Sequence, residues 1–138
     1  MIKVTTGKEI IVKTLNEIGV MAEISKRVSE RGIGIMAASA WVEGADGVIH
    51  LVTDDNLRAM DLLEKKFQPR ESNVLIAEVS HKPGMLRALA DKLKTAGIDI
   101  HHLYATALSN QDKCLIVFST SYNDRALLAL KGLDQGSR

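Results

Sequence analysis

The chain has 138 residues, of which 46% are hydrophobic and 25% are charged, and its formal net charge is +1. This composition is typical of a soluble globular protein, and the small net charge argues against binding to nucleic acid or to an anionic membrane. The single cysteine, Cys114, excludes an intrachain disulfide and is expected to be a small core residue. The chain has no long apolar run and no signal-peptide pattern at Met1, so the expected location is the cytoplasm.

The first half of the chain predicts the order strand, helix, strand, strand, helix. Residues 9–15 are apolar and β-branched, as in a strand. Apolar residues then recur at helical spacing until Gly32, which typically ends a helix. Residues 33–43 and 48–53 are predicted strands, and a hairpin turn at 44–47 joins them.

A second helix is predicted after this hairpin. Asp54, Asp55 or Asn56 can cap it, because their side chains accept hydrogen bonds from the first N–H groups of a helix. Helical spacing also predicts the stripe that this helix buries. The stripe consists of Leu57, Met60, Leu63 and Phe67.

The second half repeats the order of elements. Residues 74–79, 98–108 and 114–120 are predicted strands, and the loop 81–84 leads into a helix that Gly97 ends. The apolar stripe of that helix is Leu86, Leu89, Leu93 and Ala96. A final helix is predicted with Asn123 as its cap and with Leu127 and Leu130 on its buried face.

The two halves can be aligned residue by residue. Gly84 matches Gly19 at a shift of 65 residues, and Arg125 matches Arg58 at a shift of 67. The second copy therefore has two extra loop residues, which we place within 109–113. A duplicated unit predicts two copies of one small domain, and we place the domains at 1–68 and 69–138.

The element order predicts the fold class. It is α+β, with two tandem ferredoxin-like units of the βαββαβ type that contain antiparallel sheets. The fourth strand of each unit is uncertain, because little sequence remains for it after either final helix. Residues 1–6 can supply one missing edge strand. Otherwise the two sheets share an edge, or each sheet has three strands.

Three predicted strand segments, 35–38, 48–52 and 114–118, are apolar on both faces. Such strands are usual where a sheet is covered on both sides. We expect the second face to be covered by the other unit or by another chain, and we therefore expect a homodimer or a larger assembly. The alternative is a moderately apolar sheet face that is exposed.

The paired motifs resemble those of the ACT domain, a regulatory module that typically binds amino acids at an interface. In the second copy, the residues that carry the resemblance are the loop 81–86 and the segment 96–100, which contains Gly97-Ile98-Asp99-Ile100. In the first copy they are the loop 16–21 and the segment 31–35. The resemblance covers residues 10–130 and implies a stand-alone, tandem, ACT-type protein. Ile18 and His81 depart from the residues that are common in the family.

The resemblance implies a ligand site at each glycine loop. A glycine allows close approach of a ligand, and the start of the following helix offers unpaired N–H groups to a carboxylate. The alternative is that both loops are only tight turns. The candidate ligand-binding residues are Asn16, Glu17, Ile18, Gly19, Val20, Ile33, Gly34, Ile35, His81, Lys82, Pro83, Gly84, Met85, Ile98, Asp99 and Ile100.

No residue pattern points to catalysis, to a metal or to a cofactor. The histidines lack partners at metal-ligand spacing, and His101 and His102 are expected on opposite faces of a strand. The sequence contains no nucleophile elbow, phosphate loop or dinucleotide fingerprint. The paired aromatics that stack bases in RNA-binding modules of similar topology are also missing.

The sequence therefore predicts a non-catalytic, allosteric regulatory protein that binds a small neutral amino acid and acts through domain or subunit interfaces. A regulated enzyme is a further candidate partner. One alternative is a structural or protein-interaction module that binds no ligand. A less favoured alternative is a small ferredoxin-like enzyme, which requires titratable groups clustered in a cleft.

Overall fold

The computed structural model describes residues 2–106 and 111–136, which form six strands and four helices. The elements are β1 (Ile2–Leu15), α1 (Val20–Ser29), β2 (Ile35–Glu43), β3 (Asp46–Thr53), α2 (Asn56–Leu63), β4 (Arg70–Ser80), α3 (Met85–Thr95), β5 (Ile100–Thr106), β6 (Lys113–Thr120) and α4 (Asn123–Gly136). They group into two compact units. The first unit is residues 8–72, and the second unit is residues 1–7 with 73–138.

In the first unit the strand order is β2-β3-β1, with antiparallel pairing. Glu43 pairs with Asp46, so the predicted hairpin turn has only two central residues, Gly44 and Ala45. Gly44 has a φ of 63°, which a glycine adopts at little cost. The helices α1 and α2 cover the sheet with a core that contains Ile10, Val12, Ile24, Val28, Leu51, Ala59 and Leu63.

In the second unit, β4, β6 and β5 are neighbours in that order and are also antiparallel. Its core contains Leu75, Ala77, Leu89, Leu93, Ile116, Phe118, Ala126 and Leu130. The predicted α+β fold class with two repeated units is therefore confirmed. In the described part of the chain, no helix is both long enough and apolar enough to cross a membrane.

The start of the chain supplies a strand to the second unit. β1 begins at Ile2, well before the predicted start at residue 9, and it neighbours β4 in the sheet. Ile2 is 1% exposed and belongs to the core of the second unit. Burial of this side chain explains why residues 1–7 group with the second unit, whereas the sequence placed them in a domain 1–68. The prediction that the segment 1–6 can supply a missing strand is confirmed for its described residues, 2–6.

Matched hydrogen bonds repeat the duplication in three dimensions. In the first unit, the Thr53 hydroxyl donates to Asn56 Oδ1 at 2.6 Å, and Asn56 Nδ2 donates to the Lys8 carbonyl at 2.9 Å. In the second unit, Asn123 accepts from the Thr120 hydroxyl at 2.8 Å and donates to the Asn73 carbonyl at 3.1 Å. Each asparagine thus ties the start of the unit's last helix to two strands.

This arrangement changes the roles predicted for the helix caps. Asp55 caps α2, and its Oδ1 accepts from the Arg58 N–H at 3.2 Å, as one of the three predicted alternatives states. Asn123, the predicted cap of the last helix, is instead the first residue of α4 and accepts from Thr120. Its side chain is therefore turned back towards the preceding strand.

Some apolar residues predicted to be buried lie at the surface. Leu57 is 76% exposed and Leu86 is 48% exposed, because Ala59 and Leu63 of α2, and Leu89 and Leu93 of α3, form the buried faces. Met36 is 54% exposed, because β2 has a neighbour on one side only within its unit. Within one chain, segment 35–38 is therefore not buried on both faces, and its covering by another chain remains a prediction.

Burial on both faces is confirmed for β3, in which every residue from 47 to 53 is buried. The prediction of two extra loop residues within 109–113 falls partly outside the described residues, because 107–110 are not among them. The predicted strand 98–108 is likewise described only to Thr106, where β5 ends.

A buried polar pair distinguishes the first unit from the second. Glu9 is 2% exposed, and its Oε1 lies 2.8 Å from His50 Nδ1. The matching positions in the second unit are Val74 and Val117, which are 2% and 1% exposed. The same site in the fold therefore accepts either an acid–imidazole pair or two valines.

This comparison predicts the outcome of a double-mutant cycle on Glu9 and His50. Removing one partner of a buried hydrogen bond leaves the other group unsatisfied and costs about 1–3 kcal/mol, whereas replacing both partners with apolar groups can be nearly neutral. Glu9→Val and His50→Val should therefore each destabilise the protein by about 1–3 kcal/mol, and the double variant should lie near the wild type. Urea unfolding measures all four free energies. Additive costs in the double variant would contradict the prediction.

Candidate functional site

A glycine in the left-handed conformation begins the first helix of each unit. Gly19 has a φ of 90° before α1, and Gly84 has a φ of 89° before α3. The carbonyl of Gly19 accepts from the Glu23 N–H, and that of Gly84 accepts from the Ala88 N–H, both at 2.9 Å. The two loops therefore turn from strand to helix in the same way.

A pocket of about 290 Å³ opens at the second glycine loop, and we call it the second pocket. The loop, the start of α3 and the facing ends of β4, β5 and β6 form its walls. The lining residues are Val79, Ser80, His81, Lys82, Gly84, Met85, Leu86, Arg87, Ala105, Thr106, Cys114 and Ile116.

A pocket of about 270 Å³ opens at the first glycine loop, and we call it the first pocket. Its lining residues are Asn16, Glu17, Gly19, Val20, Met21, Ala40, Trp41, Val42, Gly47 and Ile49. At the shifts of 65 and 67 residues, nine of these ten positions match residues that line the second pocket. The duplicated fold therefore builds the same pocket twice.

The predicted site residues divide into two groups. The loop residues Asn16, Glu17, Gly19 and Val20 line the first pocket, and His81, Lys82, Gly84 and Met85 line the second pocket. Ile18 is fully exposed, and it lines a separate concavity of about 170 Å³ on another side of the first loop. Pro83 precedes Gly84 but does not line the second pocket.

The Gly-Ile-x-Ile segments lie away from these pockets within their own units. Ile33 and Ile98 are core residues at the far ends of α1 and α3, roughly 15 Å from the glycine loops for a ten-residue helix. Gly34 exchanges hydrogen bonds with Asp54, through its N–H at 3.1 Å and its carbonyl at 3.0 Å. Asp99 makes the equivalent pair of bonds with Ser121.

Ile35 and Ile100 follow these segments at the starts of β2 and β5, and they pack against the two cores. A single unit therefore does not bring Ile33, Gly34, Ile35, Ile98, Asp99 or Ile100 to its own glycine pocket. Their assignment as ligand contacts remains a prediction that requires a second unit or a second chain.

The strand walls of the pockets were missed in the sequence. Trp41 is 38% exposed and forms part of the first pocket, where Thr106 stands in the second. Gly47 and Cys114 occupy the same place on the third strand of each unit. Their signal in the sequence was the duplication itself, because residues that face one loop in one copy must face the matching loop in the other.

The electrostatic surroundings of the two loops differ. In the first unit, the Lys66 ammonium donates to Glu23 Oε1 at 2.9 Å, beside Glu17 and Gly19. This hydrogen bond lowers the pKa of Glu23 below its usual value. The first loop also uses one of its own donors, because the Val20 N–H bonds to the Glu17 carbonyl at 3.3 Å. In the second unit, Lys82 and Arg87 bring basic side chains to the pocket.

Comparison with solved structures places this fold among known proteins. The chain superimposes on a protein from Bacteroides thetaiotaomicron with a TM-score of 0.87 and 20% identity, over 95% of this chain and 90% of that one. It superimposes on the ligand-free regulatory subunit of aspartate kinase from Thermus thermophilus with a TM-score of 0.65 and 14% identity, over 94% and 95% of the two chains. For a structure of aspartokinase alpha and beta subunits, the TM-score is 0.64 at 15% identity, over 96% and 97% of the two chains.

No protein-family model and no curated protein sequence matches the chain. The structural likeness therefore establishes the fold, which is a tandem ferredoxin-like arrangement shared with regulatory subunits of aspartate kinase. The fold that the resemblance to the ACT domain implies is therefore confirmed.

The geometry of the glycines predicts a stability cost for alanine. A Cβ atom built on Gly19 or Gly84 meets nothing within 4 Å, so only backbone strain opposes a side chain. Gly19→Ala and Gly84→Ala should each destabilise the protein by about 1–2 kcal/mol, the cost of a left-handed conformation. Gly132→Ala, within α4, is the matched control and should stabilise the fold by up to about 1 kcal/mol. Thermal unfolding that shows the same sign for all three variants would contradict this prediction.

Proposed function

We propose that the protein is a non-catalytic regulatory protein that binds a small neutral amino acid at its glycine-loop pockets. The observation that carries this proposal is the construction of the same pocket in both units, each at a left-handed glycine and a helix start. A duplicated tight turn needs no cavity of about 270–290 Å³ beside it. The regulatory subunit of aspartate kinase from Thermus thermophilus, which shares the fold, supports the regulatory part of this proposal.

The chemistry of each pocket suits the two ends of an amino acid. The free N–H groups at the start of a helix attract a carboxylate, and Asn16 or the loop carbonyls can accept from an ammonium. The walls beyond the loop are largely apolar. They include Val20, Met21, Ala40 and Ile49 in the first pocket, and Val79, Met85, Ala105 and Ile116 in the second. An aliphatic or small side chain fits these walls better than a charged one.

Ligand binding is tested by thermal shift with the twenty amino acids, followed by calorimetry. A ligand present at 100 times its dissociation constant should stabilise the fold by about 2.7 kcal/mol. We expect a response to Leu, Ile, Val, Ser or Gly. Tight binding of Asp, Glu or Arg alone would reject the proposed specificity, and no response to any amino acid would favour an interaction module without a ligand.

The glycine loops provide a variant pair that isolates the charge at the site. Gly84→Asn and Gly84→Asp place side chains of equal size at a left-handed position, which Asn and Asp tolerate better than other residues. The added carboxylate competes with the ligand carboxylate for the same N–H groups, so Gly84→Asp should lose binding at the second pocket more completely than Gly84→Asn. The same comparison at Gly19 tests the first pocket. Unchanged affinity and stoichiometry in both aspartate variants would show that the glycines are only turns.

We also propose that the chain forms a homodimer through the exposed edge of the first unit. β2 has one neighbouring strand in its unit. Its exposed large apolar residues are Met36, Trp41 and Val42, which are 54%, 38% and 60% exposed. An apolar edge strand pairs readily with a second chain. Because Trp41 and Val42 also line the first pocket, a partner at this edge would reach the ligand site.

Association is measured by light scattering across the micromolar range. The wild type should be dimeric, and Val42→Lys should raise the dissociation constant at least about tenfold, because an edge lysine opposes strand pairing. Leu128→Lys is the control, since Leu128 is 66% exposed on α4, which belongs to the second unit. A monomeric wild type, or equal weakening by both variants, would contradict this interface.

A further inference from the structure

The two pockets differ in one chemically important way. In the second pocket, Cys114 Sγ lies 3.3 Å from His81 Nδ1. The matching residues of the first pocket are Gly47 and Asn16, and a Cβ built on Gly47 would lie 3.6 Å from Asn16 Oδ1. The same position in the repeated fold therefore holds a thiol–imidazole pair in one unit and a glycine–amide pair in the other.

We propose that Cys114 is a reactive thiol that forms mixed disulfides with anionic low-molecular-weight disulfides, and that the adduct occupies the second pocket. A regulatory effect of this adduct rests on the proposed binding of an amino acid in that pocket. This thiol is the only one in the chain, so each chain carries either one adduct or none.

The surroundings of Cys114 match those of reactive cysteines. Such thiols are partly exposed and lie near basic groups, whereas structural cysteines are buried in apolar surroundings. Cys114 is partly buried and packs against the core of the second unit, yet it also lines the open pocket. Lys82 and Arg87 line the same pocket, and Arg87 also pairs with Asp91 at 3.4 Å.

Backbone hydrogen bonds position the loop that carries His81. The His81 backbone N–H donates to the Asp112 carbonyl at 2.7 Å, and the Lys82 N–H donates to the Ser80 carbonyl at 3.0 Å. Cys114 pairs with Val79 across β4 and β6, next to the same loop. The backbone bonds of the loop and the strand pairing therefore bring the two residues next to each other.

The chemical step balances without a further reactant. In the tautomer that carries hydrogen on Nε2, His81 Nδ1 accepts the thiol proton from Cys114. The thiolate attacks one sulfur of the disulfide, a new S–S bond forms, and the original S–S bond breaks. The departing thiolate takes the electron pair and is protonated by the imidazolium or by water. Cys114 is oxidised, and half of the small disulfide is reduced.

The size of the cavity connects this step to ligand binding. A volume of about 290 Å³ holds either a small amino acid or the adduct of a small thiol, but the two cannot share the loop. The first pocket has no thiol at the matching position, since Gly47 stands there. Oxidation should therefore close the second pocket and leave the first pocket available.

The test uses the full chain and the dianionic probe 5,5′-dithiobis(2-nitrobenzoate). The released thiolate is followed by absorbance, and intact mass spectrometry should show one adduct on the wild type and none on Cys114→Ser. The wild type should react faster at pH 7 than N-acetylcysteine amide under the same conditions. A wild type that reacts no faster than this small thiol would overturn the proposal.

Two variants copy residues of the first loop into the second. His81→Asn should slow the reaction at least about tenfold at pH 7 and by less than about twofold at pH 10, where a thiol ionises without a base. Lys82→Glu should slow the anionic probe more than it slows the cationic disulfide cystamine. His101→Asn changes an exposed histidine of the same unit and should leave the rate unchanged.

Unfolding curves confirm that each variant is folded before its rate is compared. Equal rates for His81→Asn and the wild type at pH 7 would overturn the role of the imidazole, and an equal effect of Lys82→Glu on both probes would overturn the anionic preference. If an amino acid binds by calorimetry and slows the labelling of Cys114, the shared pocket is supported. If it binds and labelling is unchanged, the shared pocket is wrong and the proposed function stands. If no amino acid binds, the proposed function fails, while the labelling rates still decide whether Cys114 is a reactive thiol.

Discussion

A single backbone constraint organises both units of this protein. Only four residues connect the first strand of each unit to its first helix, and the last of them, Gly19 or Gly84, adopts a positive φ. This turn places the start of each helix near the ends of the neighbouring strands. The pocket is the open space between the helix start and those strand ends. The pockets, the orientation of α1 and α3, and the positions of the pocket walls all depend on this turn.

Duplication then allowed the two pockets to diverge while the fold was kept. The ties made by Asn56 and Asn123 are nearly identical, and Arg58 and Arg125 each donate to a carbonyl at the end of the unit's first helix, those of Arg31 and Ala96. These contacts join the same helices and strands in both units. At other matched positions the two units differ. The Glu9–His50 pair of the first unit, for example, is replaced by Val74 and Val117 in the second.

Much of this fold could be predicted because each glycine and each apolar stripe has a local cause. Gly32 and Gly97 end helices at positive φ, and the shift of 65 residues reveals the duplication. Burial of Leu57 or Met36 depends on which elements become neighbours, and helical or strand spacing does not contain that information. The loop half of the candidate site was visible as a motif, whereas Trp41 and Cys114 reach it only through the pairing of strands.

The contribution of residues 2–7 to the second unit has a consequence for how the chain folds. Ile2 packs into a core whose other buried members lie between Leu75 and Leu130. Residues 8–72, by contrast, contain every residue of their own core. The first unit is therefore an insertion within the second. Its core can form during synthesis before the residues that pack against the N-terminal strand are available. Contacts of such long sequence separation are slow to form, so completion of the second core is expected to limit the folding rate of the whole chain.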